Sequence, residues 1–197
     1  MKTADVIIVG SGASGLFNAL FLPQDYKVIV ITKKEVEESD SFLAQGGISA
    51  LKNPEDYDSY FEDTMKAGHY ENDKGAVEKM IKESPQIIQD LKDFGVRFDL
   101  KDGEIEFTRE GGHSTFRILH HEDLTGKEIT SHLYEEAKKR DNITIMENCT
   151  MIDIIEKDGE CKGIVYKDAD GNLDTIEAPD TAVSYTHLRA HETEADL

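Results

Sequence analysis

A glycine-rich turn lies between two apolar segments close to the beginning of the chain, where the sequence is Gly10-Ser11-Gly12-Ala13-Ser14-Gly15. The apolar residues Val6–Val9 before it predict a buried strand, and residues 13–22 after it predict a helix. In such a strand–turn–helix unit, the first glycine permits the tight turn and the second lets the backbone approach a pyrophosphate. The third glycine allows the helix to pack closely on the strand. Because the N–H groups at the helix N-terminus also attract anions, the turn predicts dinucleotide binding, although such glycines also occur in ordinary turns.

The apolar segments farther along the chain predict an α/β fold with a Rossmann-type parallel sheet. Val28–Ile31 is a second uniformly apolar segment, as expected for parallel strands that are buried on both faces. Residues 33–47 predict a long polar loop, and short strands separated by Asp-Gly turns predict an antiparallel β-meander near the end. The expected helices are residues 56–67, 74–94 and 125–140, and the proline at 85 predicts that a new helix starts within the second of these. The expected later strands are 143–146, 151–155, 161–166, 173–176 and a buried strand at 180–183.

The charge and the cysteine content restrict the partners and the compartment. The 197 residues carry a net charge of −19 at pH 7, and no basic patch offsets it, so we expect binding neither to nucleic acid nor to an anionic membrane. No apolar segment approaches the roughly 20 residues of a membrane span, and the first residues do not resemble a signal peptide. Cys149 and Cys161 are too few for a disulfide framework, which favours the cytoplasm.

The last residues differ in character from the rest of the chain. Residues 184–197 continue neither the apolar pattern of the strand at 180–183 nor any turn pattern. They are interpreted either as a disordered natural tail or as a non-native sequence that replaces the original one. We favour the non-native interpretation, because a strand that begins without its continuation is an unusual end for a domain.

Two motifs bear on the cofactor. Lys33 follows the second strand, where an acidic residue would bind a ribose 2′-hydroxyl, so the glycine turn alone leaves NADP and a merely solvated lysine both open. The consecutive amides of Ala44-Gln45-Gly46-Gly47 can lie flat against a planar ring, although a flexible turn has the same composition. The side-chain oxygens of Ser39-Asp40-Ser41, just upstream, suit contacts to phosphate and ribose.

Two polar clusters bear on the substrate and on metals. Residues 108–114, Thr-Arg-Glu-Gly-Gly-His-Ser, bring a cation, a carboxylate, a hydroxyl and an imidazole together, as in a site for a small charged substrate. An exposed hairpin with ordinary polar residues is the alternative. His120-His121-Glu122-Asp123 resembles a metal cluster only superficially, because adjacent histidines in a strand point to opposite faces.

Together these motifs resemble the flavoprotein subunits of the succinate dehydrogenase and fumarate reductase superfamily and, within it, the L-aspartate oxidase family. The resemblance covers residues 5–183. Its most specific part is the segment around Glu110. The matching motifs are the turn at residues 10–15, Thr32-Lys33, Ser41-Phe42-Leu43-Ala44-Gln45-Gly46-Gly47-Ile48, Glu62-Asp63-Thr64 with Ala67-Gly68, Thr108 to Ser114, Arg117-Ile118-Leu119-His120 and Thr125-Gly126.

The resemblance implies that the cofactor is FAD. Membrane-bound members of the superfamily carry a flavin-linking histidine where this chain has Asp40, so it implies non-covalent FAD. The implied FAD-binding residues are Gly10, Ser11, Gly12, Ala13, Ser14 and Gly15 at the pyrophosphate, Lys33 near the adenosine end, Asp40, Ser41, Phe42, Leu43, Ala44, Gln45, Gly46 and Gly47 along the ribityl chain and the ring, and Thr150 and Met151 near the adenine.

The resemblance also implies a reaction, the FAD-dependent oxidation of L-aspartate to iminoaspartate. Glu110 would recognise the amino group that distinguishes aspartate from succinate. Oxygen or fumarate would reoxidise the flavin, and quinolinate synthase would use the product in the first steps of NAD biosynthesis. The runner-up is a soluble fumarate reductase or succinate dehydrogenase flavoprotein, and a non-enzymatic alternative is a truncated flavin-binding fragment.

In the family, the arginines and histidines that contact the substrate carboxylates lie downstream of the segment that this chain matches. We therefore expect residues 1–183 to be the N-terminal part of the FAD-binding domain, truncated before the capping domain. As it stands, this polypeptide is expected to lack catalytic activity and to hold FAD weakly.

Overall fold

A computed structural model of the chain describes residues 2–184. By contacts, the chain divides into two compact units. Of the described residues, 2–42 and 133–184 form the first unit and 43–132 the second. The elements are β1 (Lys2–Thr3), β2 (Val6–Val9), α1 (Ala13–Phe21), β3 (Val28–Ile31), α2 (Asp40–Leu43), β4 (Ile48–Ser49), α3 (Tyr57–Ala67), α4 (Lys74–Asp93), β5 (Leu100–Lys101), β6 (Glu104–Ile105), β7 (Ile118–Leu119), α5 (Thr125–Lys138), β8 (Ile143–Met146), β9 (Thr150–Lys157), β10 (Glu160–Lys167), β11 (Leu173–Glu177) and β12 (Asp180–Val183).

The centre of the first unit is a parallel sheet with strand order β12-β2-β3-β8. Every residue of β2 and β3 is buried, which explains their uniformly apolar sequences. Ile8 packs on one face of the sheet with Ala19 of α1, and Ile7 packs on the other face. The predicted strand–turn–helix–strand unit and the parallel sheet are therefore confirmed.

The predicted antiparallel meander is also confirmed. Strands β9, β10 and β11 pair antiparallel, and β1 adds a fourth strand that pairs parallel with β11. Ile164, Tyr166 and Ile176 of the meander are buried against Ile7 and Ile29 of the parallel sheet. This contact makes the parallel sheet a layer that is covered on both faces.

The strand expected at residues 180–183 is present as β12, but it is not a buried one. β12 pairs with β2 alone among the described residues, so it forms an edge of the sheet. Asp180 is exposed, and Val183 retains 46% of its accessible surface. The interpretation of residues 184–197 as a non-native tail falls, except for Ser184, outside the described residues.

Helices α3 and α4 supply the core of the second unit, where Tyr60, Met65, Val77 and Ile81 pack together. The new helix predicted at Pro85 is wrong, because α4 runs through this proline without a break. Proline has no N–H to donate to the carbonyl of Ile81. The hydroxyl of Ser84 donates to that carbonyl oxygen instead, across 2.7 Å, which satisfies it without ending the helix.

The segment predicted as a long polar loop contains local helical structure. A 3₁₀ turn spans Val36–Glu38, and α2 follows within the Ser39-Asp40-Ser41 region. The hydroxyl of Ser39 accepts a hydrogen bond from the Phe42 amide at 3.3 Å, which is a bond typical of helix caps. Within residues 2–184, no helix is both long and apolar enough to cross a membrane.

Candidate functional site

The three glycines of the turn at residues 10–15 each meet a different steric requirement. Gly10 has a φ of +113°, a conformation that side chains rarely permit. A Cβ on Gly12 would lie 2.8 Å from the hydroxyl of Ser41, and a Cβ on Gly15 would lie 2.0 Å from the carbonyl oxygen of Gly10. The folded chain thus leaves no room for a side chain at Gly12 or Gly15, and Gly10 has a backbone conformation that favours glycine.

The same turn presents hydrogen-bonding groups that suit an anion. The hydroxyl of Ser11 is buried and has no hydrogen-bond partner among residues 2–184. Gly12 caps α1 without a side-chain hydrogen bond, and the first turn of this helix contains no acidic residue. Since the N-terminus of a helix carries partial positive charge, these groups fit the pyrophosphate of a dinucleotide.

The other predicted cofactor residues of the first unit lie at the same edge of the parallel sheet as the glycine turn. Val9, Ile31 and Met146 end their strands in register, so the segments that follow these three strands begin side by side. Lys33 follows β3, and the chain after β8 leads to Thr150 and Met151 at the start of β9. Ligands of open α/β sheets bind at this carboxyl edge. Asp40 and Ser41 lie on α2, also in the first unit.

In the second unit, two predicted motifs come into direct contact. The amide of Gly47 donates a hydrogen bond to Oε1 of Glu110 across 3.0 Å. A Cβ on Gly46 would lie 3.4 Å from Oε2 of the same carboxylate. A Cβ on Gly47 would lie 2.3 Å from Cγ2 of Ile118 and would overlap β7, which pairs with β4 directly after Gly47. The predicted ring-contacting backbone and the predicted substrate-recognising glutamate therefore lie side by side.

These two motifs border an open cavity of about 390 Å³ within the second unit. Three carboxylates in its wall make it a suitable place for a cationic group such as an ammonium. The residues that line the cavity are Gln45, Gly47, Thr108, Glu110, His120, Glu122 and Asp123.

A buried arginine holds the segment that follows Glu110. The Arg117 side chain is fully buried, and its Nε and Nη2 each donate to Asp56 at 2.8 Å. Nη1 donates to Asp63 at 2.6 Å. Asp63 in turn accepts hydrogen bonds from the amide and the hydroxyl of Ser114. We call this group the Arg117 cluster; its members are Arg117, Asp56, Ser59, Asp63, His113 and Ser114.

The Arg117 cluster shifts the ionisation of its carboxyl groups. Hydrogen bonds from the Arg117 guanidinium are the main reason that the pKa of Asp56 lies well below its usual range. Burial by itself would raise the pKa of Asp63, but the hydrogen bonds from Ser114 and Arg117 outweigh burial and lower it. The pKa of the Arg117 guanidinium is raised in return, chiefly by its hydrogen bonds to Asp56. Both carboxylates are therefore ionised at neutral pH.

Sequence reasoning assigned no role to Arg117. The available signal was the spacing of its partners, because Asp56, Ser59 and Asp63 recur at intervals of three and four residues and so share one helix face. That spacing identifies a polar face, but it does not identify the arginine that covers the face.

The expectation that His120 and His121 point to opposite faces of a strand is wrong. Nδ1 of His120 lies 3.0 Å from Oδ2 of Asp99, and Nδ1 of His121 lies 3.5 Å from Oδ1. Strand β7 ends at Leu119, so the alternation of a strand does not apply to the two histidines. Among residues 2–184, no group of three or more histidine, cysteine or acidic residues is placed to hold a metal ion.

Residues 5–191 match the family model described as FAD binding domain. This chain belongs to that family. The FAD-binding domain assignment agrees with the unpartnered Ser11 hydroxyl and the sterically closed glycine turn, both of which fit the pyrophosphate of FAD. The family match also favours FAD over NADP as the cofactor.

Curated relatives of this FAD-binding domain are named L-aspartate oxidase. The protein from Clostridium perfringens is 42% identical over 165 residues, which are 84% of this chain and 38% of the relative. The protein from Clostridium acetobutylicum is 46% identical over 160 residues, which are 81% of this chain and 37% of the relative. The chain thus spans less than two fifths of the length of these relatives.

Solved structures similar to this FAD-binding domain include a fumarate reductase and an Sdh1 complex. The FrdA subunit of Escherichia coli quinol fumarate reductase gives a TM-score of 0.87 at 26% identity, over 93% of this chain and 33% of FrdA. The Mycobacterium smegmatis Sdh1 complex gives 0.82 at 28% identity, over 92% of this chain and 34% of the matched one. The predicted α/β fold and the predicted superfamily are confirmed.

Proposed function

We propose that this chain is the FAD-binding part of an L-aspartate oxidase, which oxidises L-aspartate to iminoaspartate. The observation that carries the proposal is the position of Glu110, whose carboxylate contacts Gly47 at the edge of the acidic cavity. The relatives named L-aspartate oxidase, 42–46% identical, support the same activity.

We assign the cofactor residues in two groups. Gly10 to Gly15 would hold the pyrophosphate of FAD, with Lys33, Thr150 and Met151 toward the adenosine, and residues 40–47 would contact the ribityl chain and the ring. When bound, FAD supplies the acceptor for the hydride that leaves the substrate Cα. Asp40 stands where a flavin-linking histidine would be needed, so the FAD is proposed to be non-covalent.

Glu110 is proposed to select the substrate by charge. L-Aspartate differs from succinate by one ammonium group, and a carboxylate beside that group gains charge-assisted hydrogen bonds. A site built around such a bond rejects the analogue that lacks the ammonium, because the acceptor sites of Glu110 that Gly47 does not use are then left without a donor. Oxygen or fumarate would accept the electrons, and iminoaspartate would pass to quinolinate synthase. The cytoplasm is the proposed compartment, consistent with two cysteines that are both free.

A fumarate reductase or succinate dehydrogenase flavoprotein is the second candidate, supported by the TM-score of 0.87 with FrdA. It predicts a preference for dicarboxylates without an amino group. It would also leave the carboxylate of Glu110 with no substrate group to recognise.

One chimera tests both candidates. Residues 5–183 replace the matching segment of the Clostridium perfringens L-aspartate oxidase, and kcat/KM is measured for L-aspartate oxidation and for fumarate reduction. We expect yellow protein that oxidises L-aspartate. Glu110→Gln should lower kcat/KM for L-aspartate by roughly 100-fold or more and change fumarate reduction by less than about 3-fold. An unchanged preference for aspartate in this variant would overturn the role of Glu110, and a chimera that reduces fumarate without oxidising aspartate would favour the second candidate.

A further inference from the structure

We propose that Glu110 is also a positioning residue for the Gly46–Gly47 backbone, in addition to recognising the substrate. The inference rests on the proposed function, because that backbone is the part of the second unit assigned to the flavin ring. Glu110 would then connect substrate recognition and cofactor binding through its two carboxylate oxygens.

The two oxygens of Glu110 have different surroundings. Oε1 accepts the hydrogen bond from the Gly47 amide at 3.0 Å, and Oε2 lies 3.4 Å from the position that a Cβ on Gly46 would take. An ionised carboxylate has about four acceptor sites, so a single bond to Gly47 leaves room for an ammonium donor. The backbone contact and the substrate contact are therefore compatible within one side chain.

The tetrapeptide that contains Gly46 has little regular structure to hold it. It lies between the end of α2 at Leu43 and the start of β4 at Ile48. The carbonyl of Ala44 accepts a hydrogen bond from the Gly126 amide at 3.0 Å, and the bond from Gly47 to Glu110 holds the other end. Glycines lose the most backbone freedom on ordering, so such a segment needs an external contact to keep one conformation.

Holding one N–H group fixes the orientation of a whole peptide unit. The N–H of Gly47 and the carbonyl of Gly46 belong to the same planar, trans peptide group. When Glu110 accepts from that N–H, the carbonyl on the opposite side of the group is oriented as well. Loss of the acceptor should therefore release the backbone that is proposed to lie against the ring.

Two substitutions separate the backbone contact from the charge. Glu110→Gln keeps a carbonyl oxygen that can accept from Gly47, but it removes the negative charge that an ammonium requires. Glu110→Ala removes both. Glu104→Ala is the matched control, because Glu104 is an exposed glutamate in the neighbouring β5–β6 hairpin.

The first measurement is the FAD dissociation constant of the chimera described above, by titration of the apoprotein. The loss of one hydrogen bond should raise the constant about 3- to 10-fold in Glu110→Ala, with Glu110→Gln and Glu104→Ala within about 2-fold of the parent. The second measurement is amide hydrogen exchange in the 197-residue chain without FAD. A peptide containing Gly47 should exchange faster in Glu110→Ala alone.

The outcomes distinguish this inference from the proposed function. Unchanged FAD affinity and unchanged exchange in Glu110→Ala would overturn the inference, while the proposed function would still stand if the parent chimera oxidises L-aspartate. Equal losses in the alanine and glutamine variants would also overturn it, because charge and not the acceptor oxygen would then be responsible. Failure of the parent chimera to bind FAD would overturn the proposed function, and the positioning role with it.

Discussion

The helix α1 begins so close to the strand β2 that a Cβ on Gly15 would lie 2.0 Å from the carbonyl oxygen of Gly10. Real Cβ atoms do not approach backbone oxygen this closely, and both partners belong to backbone that cannot rotate away. The position of the helix N-terminus relative to the strand is therefore set by the lack of a side chain at one residue.

Gly15→Ala should destabilise the chain and weaken FAD binding together. An alanine in the interior of a helix normally stabilises it by about 1 kcal/mol relative to glycine. Here we expect the opposite, a decrease of about 2 kcal/mol or more in the free energy of unfolding, because the new Cβ would overlap the Gly10 carbonyl oxygen. Urea denaturation measures the free energy of unfolding. Gly75→Ala in α4 is the control, since its Cβ would meet a side-chain oxygen of Asp73 at 3.2 Å and no backbone atom outside its own helix. Equal effects of the two substitutions would contradict the steric argument.

Ser11→Ala should separate stability from cofactor binding. The buried hydroxyl of Ser11 has no partner in the described part of the chain, so its removal should leave the free energy of unfolding without FAD unchanged or raise it by up to about 1 kcal/mol. FAD affinity should fall about 3- to 10-fold, because the hydroxyl is proposed to donate to the pyrophosphate. Asn18→Ala, on the exposed side of α1, should change neither quantity. A loss of stability without any loss of affinity would show that the hydroxyl serves the fold.

Arg117→Met should be the most destabilising substitution of a charged residue in the second unit. It leaves the carboxylates of Asp56 and Asp63 beside each other without their cation, a change that costs about 3–5 kcal/mol in buried pairs. Arg97→Met provides the comparison, because the Arg97 side chain is 72% exposed and its pair with Glu128 should contribute less than about 1 kcal/mol. Urea denaturation at pH 7 would measure the free energy of unfolding of both variants. Similar losses in the two variants would contradict the assigned role of burial.

The stability of the chain should fall in acid because of the Arg117 cluster. A carboxyl group whose pKa is lower in the folded than in the unfolded chain contributes stability that is complete above the unfolded pKa of about 3.9. That contribution is lost as the pH falls toward the folded pKa. Asp56 and Asp63 both have lowered pKa values, so the free energy of unfolding should decline from about pH 5 downward.

The test of the acid dependence compares slopes. Asp63→Asn should flatten the decline of the unfolding free energy below about pH 5, since one group no longer titrates. Asp58→Asn, at an exposed position of the same helix, is the control and should leave the pH dependence of the unfolding free energy unchanged. A slope that is equally steep in Asp63→Asn would place the acid sensitivity elsewhere in the chain.

Local patterns predicted the first unit well. The sequence indicated the apolar strands Val6–Val9 and Val28–Ile31, the glycines between them and the turns of the meander, because each of these features depends on residues that are close together in the chain. Where prediction failed, a distant or structural partner decided the outcome. Pro85 does not end α4, because the Ser84 hydroxyl satisfies the Ile81 carbonyl, and His120 and His121 converge on Asp99 beyond the end of a strand.

The candidate site divides in the same way. The sequence alone indicated the glycine turn and the backbone at residues 44–47, because residue type and short spacing carry that chemistry, and the resemblance to a known family indicated Glu110. Only the tertiary structure decided that Glu110 contacts Gly47, 63 residues away, and that Arg117 lies buried against Asp56, 61 residues away. Such contacts depend on which surfaces pack together when the chain folds, and no local spacing encodes that choice.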